Sequence, residues 1–501
     1  MAEITADRPV KLPMVGEIDP EFLAQEEAYL REANSRGLLG RLGAYVKLSG
    51  PGWLQGAMTL GGGSAASSLF AGTLGGYKFL WVQPLGMVTG IVMLMAITHL
   101  TLSTRLRPFD AVARFSHPAL AWMWAVASLL ASIVFCFSQF SLAESVFTDV
   151  AQQYGVIAPD RPSLGFTLFI TLAILLFTFF ITLQYGKSLG WIKKYETALK
   201  LMVAMIIISF AAVVVMVDVE WGKVFRGFIP SKENFPKTEQ EIEVVISAFA
   251  NSVGINMTFL LPYTLAARGW GREHRGLAKF DLWTGLFFPF MFATSLIVIA
   301  SAVTLHGTFD LAAGKNPGAK DLSVALEPVM GQKASHLVFG LGVVGMTVST
   351  ITLLMLVSGF IVSELGRSHS RKLFLFGAIL PSVGALGPIY WNELRFYMAI
   401  PVSNLCYFMM PIAYMAFILC MNRKSLLGAS APTGLGRVVW NSAMLAVLGI
   451  VTFGGFYKVH FGLGGAVSWS DWGAWSFFYV GAMALFFAWG IFLYLHPRKE
   501  A

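Results

Sequence analysis

Gly61-Gly62-Gly63-Ser64 interrupts the first long apolar stretch of the chain, which runs from about Tyr45 to Leu74. Each glycine costs a helix roughly 1 kcal/mol relative to alanine, so a helix through this stretch is expected to break here. Its second half then opens with unbonded N–H groups and the positive end of the helix dipole, which is the chemistry of an anion site. Glycines let a carboxylate or small oxyanion come close to the backbone. Thr59, Ser64, Ser67 and Ser68 add hydroxyls. A second polar interruption spans Asn251 to Thr258, with Gly254 inside it and Pro262 beyond. From it Asn251, Gly254, Ile255, Asn256 and Thr258 are expected to meet Thr59, Gly61, Gly62, Gly63 and Ser64 around a small anion or a carboxylate-bearing solute. The bland alternative for the glycines is close packing against a neighbouring helix.

The elements that carry these breaks read as membrane helices. Of 501 residues, 56 % are hydrophobic and 13 % charged, about half the charged share of a soluble domain. About twelve apolar segments are long enough to span a bilayer, so the fold class is an all-α polytopic membrane protein. The breaks fall in the first segment, 45–74, and the sixth, 243–266. A spacing of five segments is what an inverted repeat of five plus five helices predicts, with substrate held between the two breaks. Broken helices at membrane depth are tolerated only where they are buried in protein or line a cavity. The expected organisation is a tail over 1–44, repeats over 45–217 and 243–421, and two further helices over 438–496. Connections 218–242 and 306–335 are the only long ones and hold no separate domain.

Orientation follows from Lys and Arg in the connections. With both termini cytoplasmic, 25 of the 36 fall inside, and that accounts for the net charge of +8 without nucleic acid. No cleavable leader precedes the first helix, which fits a bacterial inner or plasma membrane. Asp19-Pro20 followed by Glu21-Phe22-Leu23 predicts the start of an amphipathic helix running to Arg36 on the cytoplasmic face. Cys136, Cys406 and Cys420 all fall inside spans, with neither metal-ligand spacing nor a disulfide framework. Glu144 is the clearest acid within a span, and such a residue is a functional candidate by default. Glu196 and Lys200 lie one turn apart and read as an ion pair. There is no nucleophile–base set, no phosphate loop and no sign of a cofactor. An enzyme is therefore not expected.

Several segments, in order and at matching spacing, carry a family resemblance. Gly50-Pro51-Gly52, Gly75-Gly76-Tyr77-Lys78-Phe79-Leu80-Trp81-Val82, Gln184-Tyr185-Gly186, Gly227-Phe228-Ile229-Pro230, Gly345-Met346-Thr347-Val348-Ser349-Thr350 and Asn422-Arg423-Lys424 resemble the NRAMP family of proton-coupled divalent-metal transporters. The resemblance implies a LeuT-type five-plus-five fold, with helices one and six broken and alternating access across the membrane. It also implies where metal ligands belong. The family's DPGN falls on Gly61, Gly62, Gly63 and Ser64, and its helix-six AxxMPH places Thr258 at the methionine. Its acidic pair in helix three falls on Cys136 and Gln139. The usual metal ligands are thus missing, so no metal site of the family kind is expected. The favoured reading is a divergent NRAMP-like secondary transporter of a small anion. The alternatives are a Mg²⁺ or Mn²⁺ transporter using neutral ligands and a non-transporting membrane sensor. Proton or Na⁺ coupling is expected through Glu144, Gln139, Thr347, Ser349 or Thr350.

Overall fold

A computed structural model describes residues 20–158, 162–185, 189–307, 331–368, 370–390, 399–463, 465–466 and 468–496, together with Leu12 and Ser323. All regular structure among them is helical. The N-terminal half comprises α1 (Pro20–Ser35), α2 (Gly37–Leu48), α3 (Pro51–Thr59), α4 (Gly62–Gly75), α5 (Val82–Thr104), α6 (Pro108–Phe115), α7 (Pro118–Gln153), α8 (Leu164–Gln184), α9 (Leu189–Met216) and α10 (Trp221–Gly227). The remainder comprises α11 (Glu239–Ser252), α12 (Ile255–Ala267), α13 (Arg275–Leu282), α14 (Phe288–Thr304), α15 (Gln332–Leu365), α16 (Arg371–Ile379), α17 (Ala399–Tyr407), α18 (Met410–Met421), α19 (Gly434–Tyr457) and α20 (Ala474–Leu495). Short 3-10 and π turns join several of them.

Ten helical stretches are long and apolar enough to cross a membrane. The interrupted pair α3–α4 and the 28-residue α9 bring the number to the expected twelve. The expected cap of α1, Asp19, and most of the 306–335 connection lie outside the described residues.

Both expected breaks are present. In the first, Leu60 leaves the helix at ψ 58° and Gly61 is extended at φ −109° and ψ −173°. In the second, Val253 (φ −146°) and Gly254 (φ −85°) are extended between α11 and α12. None of these angles demands glycine. What does is space: a Cβ on Gly61 would lie 2.6 Å from Thr350 Oγ1, and one on Gly63 would lie 2.2 Å from Asn251 Oδ1.

Three details differ from the sequence expectation. The first membrane helix starts at Pro51, not near Tyr45, because Ser49 and Gly50 separate it from α2. The last helix of the second repeat, ending at 421, is likewise interrupted, at Phe408 and Met409. Glu196 pairs not with Lys200 but with Arg268, at 3.6 Å, while Lys200 donates to the Ser49 carbonyl at 2.6 Å.

Candidate functional site

The two breaks are tied to each other. Thr59 Oγ1 lies 2.7 Å from the Asn251 carbonyl and 2.8 Å from that of Ser252, the end of α11. Within the first break, Ser64 Oγ lies 2.6 Å from the Thr59 carbonyl and 3.0 Å from that of Gly61. These hydroxyls satisfy carbonyls that the chain reversal strips of helix partners. Thr59→Val keeps the shape and removes the tie. The expected outcome is a thermal unfolding midpoint about 1 °C lower, from the loss of about 1 kcal/mol, read by fluorescence melting in detergent. An unchanged midpoint would show that the tie is idle.

Where the breaks meet lies a cavity of about 30 Å³, room for an ion and roughly one or two waters. Thr59, Gly61, Gly63, Ser64, Asn251, Gly254 and Asn256 line it, as the sequence placed them, and so do Gln139 and Thr350. Gly62, Ile255 and Thr258 are not in its wall. The Gly62 N–H points at Gln139 and donates to Oε1 at 2.8 Å. Thr258 is turned toward α7, where it accepts from Trp124 Nε1 at 2.9 Å and donates to the Ile255 carbonyl.

Five lining residues lie outside the sequence expectation, Met58, Phe135, Ala250, Met257 and Leu354, and of these Met58 and Met257 carry sulfur. Met257 stands one place before the position at which the resemblance put the family's methionine. On a helix one residue is a turn of about 100°, which decides whether a side chain faces the cavity. Its Sδ accepts from the Gly254 N–H at 3.4 Å. The signal was in the sequence, since Met257 is the one sulfur in the second break.

The electrostatics of the wall are those of neutral acceptors. The last carbonyls of α3 and α11 end at the cavity, the negative poles of two half-helices. Donors at the opposite poles are partly spent, while the N–H groups of Gly63 and Ser64 at the start of α4 stay open. Gly62 N–H goes to Gln139, Met257 N–H to Asn256 Oδ1 at 2.9 Å and Ala65 N–H to the Gly61 carbonyl. Asn251 is held on both sides of its amide, with Nδ2 donating to the Ser247 carbonyl at 2.8 Å and Oδ1 accepting from Ser403 Oγ at 2.7 Å. A carbonyl-type oxygen that accepts one bond keeps a second lone pair, so Gln139 and Asn251 retain capacity toward a cation. No carboxylate lines the cavity, and no cluster of three His, Cys, Asp or Glu exists among the described residues.

The other coupling candidates separate. Ser349 Oγ lies 3.3 Å from the Ala57 carbonyl, and Thr350 Oγ1 lies 3.4 Å from the carbonyls of Ala57 and Met58. They therefore face the end of α3. Thr347 bonds back to its own helix at Val343 and Val344. Glu144 is fully buried but turned toward α8, where its Oε1 accepts from Thr148 at 2.9 Å and Thr167 at 3.0 Å.

Comparison with known proteins bears on this geometry. A family model described as natural resistance-associated macrophage protein-like (Nramp) matches residues 52–456. The divalent metal cation transporter MntH of Brucella suis biovar 1 is 24 % identical over 420 residues, which is 80 % of this chain and 86 % of that protein. The manganese transporter pdt1 of Schizosaccharomyces pombe is 26 % identical over 252 residues, 49 % of this chain and 43 % of that one. Among solved structures, the Eremococcus coleocola manganese transporter superposes with a TM-score of 0.70 over 98 % of both chains, at 13 % identity. MhsT in complex with L-phenylalanine reaches 0.53 over 81 % of this chain and 98 % of its own, at 14 % identity. At these identities the structural likeness carries the fold, and the fold is LeuT-like.

Proposed function

This chain belongs to the Nramp family of membrane transporters, and on that premise we propose that its cargo is a divalent metal cation bound between the two helix breaks by neutral ligands. The observation that carries this reading is the cavity itself. It is ion-sized, and oxygen and sulfur acceptors of both breaks line it. Met257 supplies a soft donor of the kind that favours Mn²⁺ over Mg²⁺, in keeping with the names of the relatives. With no carboxylate to offset the charge, affinity is expected to be lower than in a carboxylate site. Cargo moves by alternating access, with the N-terminus on the cytoplasmic side.

Flux into proteoliposomes tests the reading. One arm follows Mn²⁺ and Mg²⁺ with a metal-sensitive dye, the other labelled bicarbonate and short carboxylates. Saturable Mn²⁺ entry without anion entry supports it. Anion entry without metal entry supports the second reading, a small anion at the start of α4. That reading has one observation in its favour, the positive end of a 14-residue helix at Gly61–Ser64. No flux of either kind would favour a sensor. Coupling belongs to the same proposal. Ser349 and Thr350, beside the terminal carbonyls of α3, form a neutral oxygen set suited to Na⁺, while Glu144 between two hydroxyls is suited to carry a proton. Imposing a Na⁺ or a pH gradient separates the two. If a pH gradient drives uptake, Glu144→Gln is expected to abolish the drive and leave downhill flux intact.

A further inference from the structure

Helix α1 does not float free on the membrane surface. Glu26, Leu30 and Ala33 are buried, and their spacing puts them on one helix face. Glu26 is the only acid on that face, and it enters a charged cluster formed by the ends of helices that run to the cavity. Its carboxylate lies 3.5 Å from Lys193 at the start of α9 and 3.9 Å from Arg268 at the end of α12, and Trp270 Nε1 donates to it at 3.3 Å. Arg268 also donates to the Leu48 carbonyl at 2.7 Å, just ahead of α3. Beside Glu26, Glu27 lies 3.9 Å from Arg105 at the end of α5. One short helix thus bridges the ends of α5, α9 and α12, and through Arg268 it reaches the end of α2 just ahead of α3.

Of these helices, α3 and α12 are the half-helices whose other ends form the cavity. Between cavity and cluster stands Gln55, one turn from Met58 and Thr59 on α3. It is fully buried, and neither its amide oxygen nor its amide nitrogen has a hydrogen-bond partner. Burying such a group unpaired is costly. Water reaching it in another conformation would relieve that cost. Lys193 reaches Glu26 at the outer limit of a hydrogen bond and Arg268 lies beyond it, so charge supplies much of the hold. Such a contact closes a path firmly yet separates without breaking a rigid network.

We propose that α1 is a latch on the N-terminal side of the transport path, with Glu26 as the residue that holds it shut. Releasing it shifts the carrier toward the conformation open to that side. The inference rests on the family-level assignment as a transporter, not on the identity of the cargo.

The test needs no cargo. Cys136, Cys406 and Cys420 are replaced by alanine, Gln55→Cys is introduced, and a membrane-impermeant maleimide is added from the N-terminal side of oriented vesicles. With Glu26 intact, labelling is expected to be slow. Glu26→Gln raises the rate about tenfold, and Glu26→Asp raises it less. Leu30→Ala, which loosens the packing of α1 without touching the charges, also raises it. Glu26→Gln and Leu30→Ala proteins that remain monodisperse and label no faster than the parent would overturn the proposal. So would a rise from the opposite side alone. Metal flux measured on the same vesicles reports separately on the cargo, so the two readings fail independently.

Discussion

Gly63→Ala is expected to cut transport sharply in a protein that still folds and inserts. The added methyl would lie 2.2 Å from Asn251 Oδ1, 2.9 Å from its Cγ and 3.2 Å from Ser403 Oγ. Asn251 cannot swing aside cheaply, because the Ser247 carbonyl and the Ser403 hydroxyl hold its amide. Overpacking of this kind costs about 1–3 kcal/mol. The cost falls on the conformation in which the two breaks close around cargo, while a conformation with the breaks apart escapes it. Initial uptake should therefore drop by roughly ten- to hundredfold, with expression and melting much less affected. Gly449→Ala on α19 is the control, since nothing lies within 4 Å of its Cβ position. Uptake by the Gly63 variant within twofold of the parent would mean that the breaks do not meet during transport.

Met257→Leu should separate one metal from another. Leucine keeps the volume and removes the sulfur. Thioethers favour softer ions, whereas Mg²⁺ takes oxygen ligands and keeps its waters. The KM for Mn²⁺ is expected to rise at least tenfold while that for Mg²⁺ changes less than about threefold. Equal losses for the two ions would show that Met257 shapes the cavity without ligating. No change for either would remove it from the site.

The difference between what the sequence discloses and what it conceals is one of range. Both breaks are legible because their causes are local: a run of glycines in one helix, and Asn, Gly and Asn crowded into a few residues of another. Helix α1 is legible for the same reason, from Pro20 and the pattern behind it. The occupant of the Gly62 N–H is not, because Gln139 arrives from 77 residues away. The family resemblance points to Thr258, whereas helix rotation presents Met257 instead. Glu196 seemed paired within its own helix, yet the buried guanidinium of Arg268, on a different half of the chain, makes the stronger claim on it. Local chemistry marks where the helices break, and tertiary contacts bear on the sign of the charge the cavity would take.

The most direct test of that sign is anomalous diffraction from crystals soaked in Mn²⁺. A single manganese peak is expected between the carbonyl end of α3 and Met257 Sδ, within coordination distance of Asn251 or Gln139. The peak should be absent in crystals of Gly63→Ala. A map with no peak there at a concentration that saturates uptake, or with density for an anion against the N–H groups of Gly63 and Ser64, would contradict it.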